Sequence, residues 1–371
     1  MKICWFGIYK PDFSRNRVYM EGLRRSGHEI IECRDESRGM LKFWRLYVKH
    51  RKILKMGGYD ALVVGYPGHL VVPLAKLLVL TNRWKTGHCT PVIADLLGSL
   101  ADAEKHSHGA GWLRVLKLRM IDLLAVMFAD IVLLESHAQM KYFSHEFGNL
   151  HKYRVVYTGV DEGVFSHVGS LLADGTEGNR FQTGGIFTVF FRGKLTPECG
   201  IGHILKAAEI LKNDHNICFK IIGKGYLLPF TERMIAEKGL RNVTLESRYL
   251  SDQEMRTTVR KASLYLGQFE QNHRLKRTIP HKAFEAFAAG IPYLSAEAPA
   301  IQELVTEGET GFLVPMEDAG LIAEKIRVLS RQPDLLARVS RNARNMYEER
   351  LTSVRLASEI IKAASCRNKQ S

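Results

Sequence analysis

No two of the six cysteines, Cys4, Cys33, Cys89, Cys199, Cys218 and Cys366, form a CxxC pair, and none is spaced with histidines as metal ligands are. That excludes a zinc-ribbon or dithiol motif. Several stand in apolar stretches, where a cysteine acts as a small buried hydrophobe, so a reducing cytosol is expected. Long hydrophobic runs are missing as well. Leu70–Leu80 and Ile121–Leu134 are the most apolar stretches, but Lys76, Asp122 and Asp130 interrupt or bound them, and neither reaches the length of a membrane span. The opening MKICWFGIYKP is too short for a signal peptide, and no leader is expected.

Acid is missing from one stretch in particular. Ser37–Tyr59 holds Arg38, Lys42, Arg45, Lys49, Arg51, Lys52 and Lys55 with no Asp or Glu. Residues 1–160 carry 24 Lys and Arg against 14 Asp and Glu, an excess of 10 within the whole chain's +14. Phe43, Trp44, Leu46, Tyr47, Ile53 and Leu54 interleave with the cations, as in a basic amphipathic helix that lies on an anionic membrane. Nucleic acid, or a solvated helix packed on its own domain, would use the same residues. The expectation carried forward is an anionic membrane surface reached through Lys42–Lys55, with no nucleic acid and a peripheral cytoplasmic location.

What is present is a repeated rhythm. A strand pattern over Lys2–Phe6 ends at Gly7, a helix pattern covers Arg17–Ser26, and His28–Cys33 is strand again. Apolar runs at Tyr59–Val64, Pro91–Asp95, Ala129–Leu134 and Tyr153–Val156 continue it. Near-continuous apolar strands imply a parallel sheet covered on both faces. Five glycines with Ser, Thr, Asp and Asn mark residues 164–185 as a linker. The rhythm restarts at Phe187–Phe191 and runs through Asn216–Ile222, Val243–Glu246, Leu264–Gly267, Tyr293–Ala296 and Gly311–Val314. Helices follow over Leu321–Ala364 with a break at Pro333. The expected fold is α/β, with a doubly wound domain at 1–163 and a second at 186–345. A last helix and tail at 346–371 would pack back on the first. Such sheets bind ligands beyond the carboxyl ends of their strands.

Two segments carry the chemistry. In Phe190–Leu211, a strand leads to Gly193, Lys194 lies in the loop, and Gly200 precedes a helix, so backbone N–H groups and a cation could seat a diphosphate. A plain strand–loop–helix connection would look the same. In Leu266–Leu304, Arg274, Lys276, Arg277 and Lys282 precede or open a helix holding Glu285, with Pro280 at its start. A solvated charge run stays open there.

As a set, these segments resemble the donor-binding domain of the retaining glycosyltransferases of family 4. Gly193-Lys194-Leu195 stands for that family's Gly-Arg-Leu, and Ile221–Gly225 for its strand end. Phe284–Pro292 matches its "EAMAxGxPV" run, and Glu303–Val314 its "ELVxxGETGxLV" ending. Tyr157–Asp161 resembles its "NGVD" turn. The likeness covers roughly residues 1–350 and is sharper in the second half. It implies a GT-B fold, two Rossmann-like domains facing across a cleft, and sugar transfer from a nucleotide-diphosphate sugar with retention to a saccharide or lipid-linked acceptor. By this likeness Gly193, Gly223, Lys224, Arg248, Leu250, Arg274, Lys276, Pro280 and Lys282 bind the donor. Lys194 and Arg277 neutralise the departing diphosphate, and Glu285 holds the ribose.

On the acceptor side it implies Gly7, Arg15, Asn16, His69 and His137, with Asp95 among the catalytic residues. No metal or other cofactor is implied, in keeping with the lack of a DxD aspartate pair in a suitable loop. Two departures stand out. The family's paired acids would need glutamate at Arg277, and its loop lysine falls at Cys199. Both fit a subgroup with a modified acid pair and a basic segment, here Arg274 to Glu285. A non-catalytic sugar-nucleotide binder and an epimerase on a related fold are the rival readings. The sugar, nucleotide, acceptor and oligomeric state are left open by the sequence.

Overall fold

The fold is that of a computed structural model, which describes all residues but 38, 87–88, 108, 110, 167–184 and 366–371; the side chains of 83–86 and 107 are also outside the description. Most of the expected linker, together with Arg38 and Cys366, therefore lies outside the described residues. The chain divides into two compact units, Met1–Gly159 with Thr352–Ser371, and Val160–Leu351.

The first unit is built on β1 (Lys2–Gly7), α1 (Ser14–Arg25), β2 (Glu29–Arg34), α2 (Leu41–Lys55), β3 (Ala61–Val64), α3 (Val72–Thr86) and β4 (Val92–Leu97). It continues through α4 (Leu100–Ser107), α5 (Trp112–Phe128), β5 (Ile131–Leu134), α6 (His137–Phe147) and β6 (Tyr153–Val155). The strands run parallel in the order β2-β1-β3-β4-β5-β6. Alternate residues of each strand feed opposite cores, as a sheet covered on both faces requires. Cys4, Phe6, Leu62 and Val64 join buried side chains of α2, α3, α5 and α6, which places those four helices on one face. Ile3, Trp5, Ala61 and Val63 join α1 and the helix Ser353–Ser365 on the other. At Gly22 of α1 a Cβ would come 2.0 Å from the carbonyl oxygen of Ser353, so only glycine allows this approach.

α1 begins at Ser14, three residues before the apolar periodicity shows it. Its first turn buries Arg15 and Asn16, whose polarity hides them from a hydrophobic pattern.

The second unit comprises β7 (Phe187–Arg192), α7 (Ile201–Ile210), β8 (Ile217–Ile222), α8 (Leu228–Glu237), β9 (Val243–Glu246), α9 (Asp252–Arg260) and β10 (Leu264–Leu266). After these come α10 (His281–Ala289), β11 (Tyr293–Ala296), β12 (Phe312–Val314), α11 (Ala319–Leu329) and α12 (Pro333–Arg350); α13 (Ser353–Ser365) is the helix already placed in the first unit. The parallel order β12-β11-β10-β7-β8-β9 reverses direction between β7 and β10, and a doubly wound sheet opens for ligands at such a point. Local signals set the ends. Ser251 and Glu254 form a reciprocal capping box on α9, Asp318 caps α11, and Pro333 starts α12 where its missing N–H costs nothing.

Candidate functional site

The switch point of the second unit gathers the loop after β7, the loop after β8 and the start of α10. Gly193 and Gly223 are held together by their backbones. Gly193 N–H donates to Ile222 O at 3.0 Å, and Leu195 N–H to Lys224 O at 2.9 Å. A Cβ at Gly223 would lie 2.4 Å from Gly193 O, and one at Gly193 would lie 2.9 Å from Cε of Lys282. Glycine at both positions therefore lets two loops and a lysine share one small space.

Lys282 is the unusual member. It is only 9% exposed, its Nζ sits 4.8 Å from the centre of the Phe191 ring, and among the described residues no carboxylate pairs with it. Burial lowers its pKa, while Cys199 and Glu285 partly offset that. Transferring an ammonium out of water is costly without an anion, so this cation is poised for one. The buried Cys199 lies close enough to interact with it electrostatically.

Glu285, one turn along α10, is 2% exposed and already engaged. Arg192 and the Tyr265 hydroxyl both donate to it, and His281 Nδ1 stands 3.1 Å from Oε1. Burial alone would raise its pKa; Arg192 and the hydrogen bonds from His281 and Tyr265 outweigh that and bring it to about 2. The carboxylate expected to hold a ribose diol thus already has three side-chain partners. Arg192, Tyr265 and His281 were not expected at the site. The i, i+4 spacing of His281 and Glu285 could have shown one contact. Arg192, 93 residues from Glu285 in sequence, had no local signal beyond ending the strand before Gly193.

The other expected residues sit as follows. Lys194 is exposed in the loop after β7, while Arg274, Lys276 and Arg277 are half-buried between β10 and α10, and Pro280 is buried at the start of α10. Lys224 lies 4.7 Å over the Tyr249 ring. Arg248 is bound to Glu246 at 2.8 Å and Glu254 at 2.6 Å, which commits its charge to neighbouring acids. Leu250 leads directly into α9. His203, Glu270 and Glu317 bring ligand atoms within 4.8 Å of one another, but His203 is already 3.5 Å from Glu270.

In the first unit three of the expected residues are wholly buried. Arg15 and Asp95 are wholly buried against each other, with Arg15 Nε 2.9 Å from both carboxylate oxygens. Arg15 also donates to Val156 O at 2.9 Å. Asn16 donates to Tyr66 O at 2.6 Å and accepts from Tyr66 N–H at 3.1 Å, pinning the loop after β3. None of the three presents a side chain to solvent, because each satisfies a buried backbone or charge. His69 is buried too, its Nε2 3.0 Å from Gly98 O and 3.7 Å from Asp122, and burial lowers its pKa. Gly7 ends β1 at positive φ with its carbonyl accepting from Asp35 N–H. His137 is exposed at the start of α6.

The chain is similar over part of its length to curated enzymes. It is 29% identical over 160 residues to the MMP alpha-(1->4)-mannosyltransferase of Mycolicibacterium hassiacum, covering 41% of this chain and 36% of that protein. It is 29% identical over 148 residues to the amylovoran biosynthesis glycosyltransferase AmsK of Erwinia amylovora, covering 37% of this chain and 34% of that one. The matches thus span about a third of those relatives' length. Among solved structures, Anabaena HepE in complex with UDP and glucose superimposes with a TM-score of 0.69 at 17% identity, over 99% of this chain and 100% of that one. Sucrose-phosphate synthase from Thermosynechococcus elongatus does so at 0.69 and 14%, over 100% of both. These likenesses establish the fold. Two doubly wound parallel sheets give the chain the GT-B architecture, and its residues 180–346 match the family model of the glycosyl transferases group 1.

Proposed function

We propose that the chain is a glycosyltransferase that moves a hexosyl group, with retention, from a nucleotide-diphosphate sugar to a saccharide or lipid-linked acceptor on the cytoplasmic side of a membrane. Lys282 carries the reading. A buried ammonium without a carboxylate, resting against the glycine loop at the switch point, suits the diphosphate of the donor. It also makes up for the lysine replaced by Cys199. When the anomeric C–O bond breaks, its electron pair passes to the diphosphate. A cation already fixed there stabilises the departing charge more than the ground state. The acceptor oxygen bonds to the anomeric carbon and releases its proton to the leaving phosphate oxygen. Lys194 and the Arg274–Arg277 segment add charge around the same group, and no metal is called for. UDP, bound in HepE, is the first nucleotide to try.

In this reading Glu285 acts through its neighbours, fixing Arg192 at the floor of the site. That engagement favours one second reading, a nucleotide-sugar binder without turnover. Lys282→Met decides between them. Donor hydrolysis and product formation should fall about 100-fold, as when one preorganised transition-state partner is lost, and the thermal shift produced by UDP should shrink. Unchanged turnover and an unchanged shift in Lys282→Met would overturn the assignment. Ligand-induced stabilisation without any turnover by the parent protein would support the binder.

A further inference from the structure

The outer helical layer of the first unit carries a surface that a donor site does not explain. α5 is apolar on both sides. Ala125 and Val126 enter the core, while Trp112, Leu113, Leu116, Met120, Met127 and Phe128 are exposed by 40% to 72%. Positions 112, 116, 120 and 127 fall on one helical stripe. A helix apolar all round needs a second apolar partner, and exposed patches of this kind mark interaction sites. On the same face, α3 adds the exposed Leu77 and Leu80, and α2 adds Trp44 stacked on Tyr47 at 5.3 Å. Cations surround these residues. Among the described residues no carboxylate pairs with Arg45, Arg51, Lys52 or Lys55 of α2, nor with Lys117 of α5.

We infer that this layer docks on an anionic lipid bilayer, with the stripe of α5 as the inserted element and α2 as its electrostatic support. At 17 residues α5 is about 25 Å long, and no helix of the described residues is long and apolar enough to cross a membrane. It would lie in the interface, with Trp112 at the headgroup level. A second copy of the chain fits less well, because a two-fold pairing of this face sets the cations of α2 against their own like.

The test is flotation of the full chain with vesicles, read without any activity. Phosphatidylcholine vesicles containing roughly a third phosphatidylglycerol should carry the protein up, and pure phosphatidylcholine vesicles should carry far less. Leu116→Glu with Met120→Glu should cut the bound fraction about tenfold, since charge in the apolar zone opposes insertion. Should that variant misfold, the parent decides. Its tryptophan emission should shift blue and be quenched by brominated lipid, and Trp112→Phe should lose most of both. Three results overturn the proposal: no binding of the parent to anionic vesicles, binding indifferent to the α5 substitutions, or a dimer in light scattering that these substitutions dissolve.

Discussion

Each unit places an arginine–carboxylate pair near the carboxyl ends of its central strands, yet the two pairs differ in kind. Arg15 and Asp95 are closed off on every side, and the arginine spends a further donor on the backbone of Val156. Arg192 and Glu285 are open at one end: the guanidinium is 39% exposed while the carboxylate is 2% exposed. A pair sealed at both ends ties α1, β4 and the residues after β6 into one body. One open at the arginine presents a fixed positive edge to whatever enters. Lys282 goes a step further, being a buried cation whose counter-charge must come from outside. Burial of charge therefore does not by itself mark a site; the direction in which the charge is left unsatisfied does.

That contrast can be broken by substitution. All four tryptophans, residues 5, 44, 84 and 112, lie in the first unit, so their emission follows its unfolding alone. Arg15→Met leaves Asp95 buried and alone, and should cost the first unit roughly 3–5 kcal/mol in urea unfolding. A loss under about 1 kcal/mol would mean that the pair is not the strut described. In the second unit, Glu285 has an ordinary pKa of 4.5 and a folded value of about 2. Its contribution is present in full above pH 4.5 and drains away as pH falls toward 2. That amounts to about 3 kcal/mol. Glu285→Gln should flatten the acid side of the second unit's stability curve in that window, followed by circular dichroism; an unaltered curve would contradict the assignment. Lys282→Met should do the reverse of both, raising the ligand-free melting temperature by a few degrees while it removes turnover. The smallest effect belongs to Tyr265→Phe. Losing one hydrogen bond to Glu285 should cost about 1–2 kcal/mol and leave the pH window in place.

Much of this could be read from residues alone, and the rest had a physical reason to stay hidden. Glycines at Gly193 and Gly223 and the apolar strands ahead of them announced the second sheet and its switch point, because backbone geometry restricts which residues can stand there. Lys282 was legible as one of several cations, but not as the buried one. Spacing says that a residue lies on a helix, and only packing says which neighbour covers it. The Arg15–Asp95 pair joins positions 80 residues apart, and no periodicity reaches that far. Glu285 was expected to face ligand because its helix and position were right; the arginine that claims it comes from another strand. The exposed stripe of α5 was visible only as an apolar run, since a sequence shows hydrophobicity without showing what covers it.

The tight contact at Gly22 sets an order on the chain's birth. α13 supplies Leu356, Ala357, Ile360, Ala363 and Ala364 to the core beside β1, and these residues leave the ribosome after the whole second unit has been made. The first unit, begun before the second, is thus completed only after it, and it waits with an apolar face open until α13 emerges. Removing the last twenty residues should leave the second unit folded and the first one in need of chaperones.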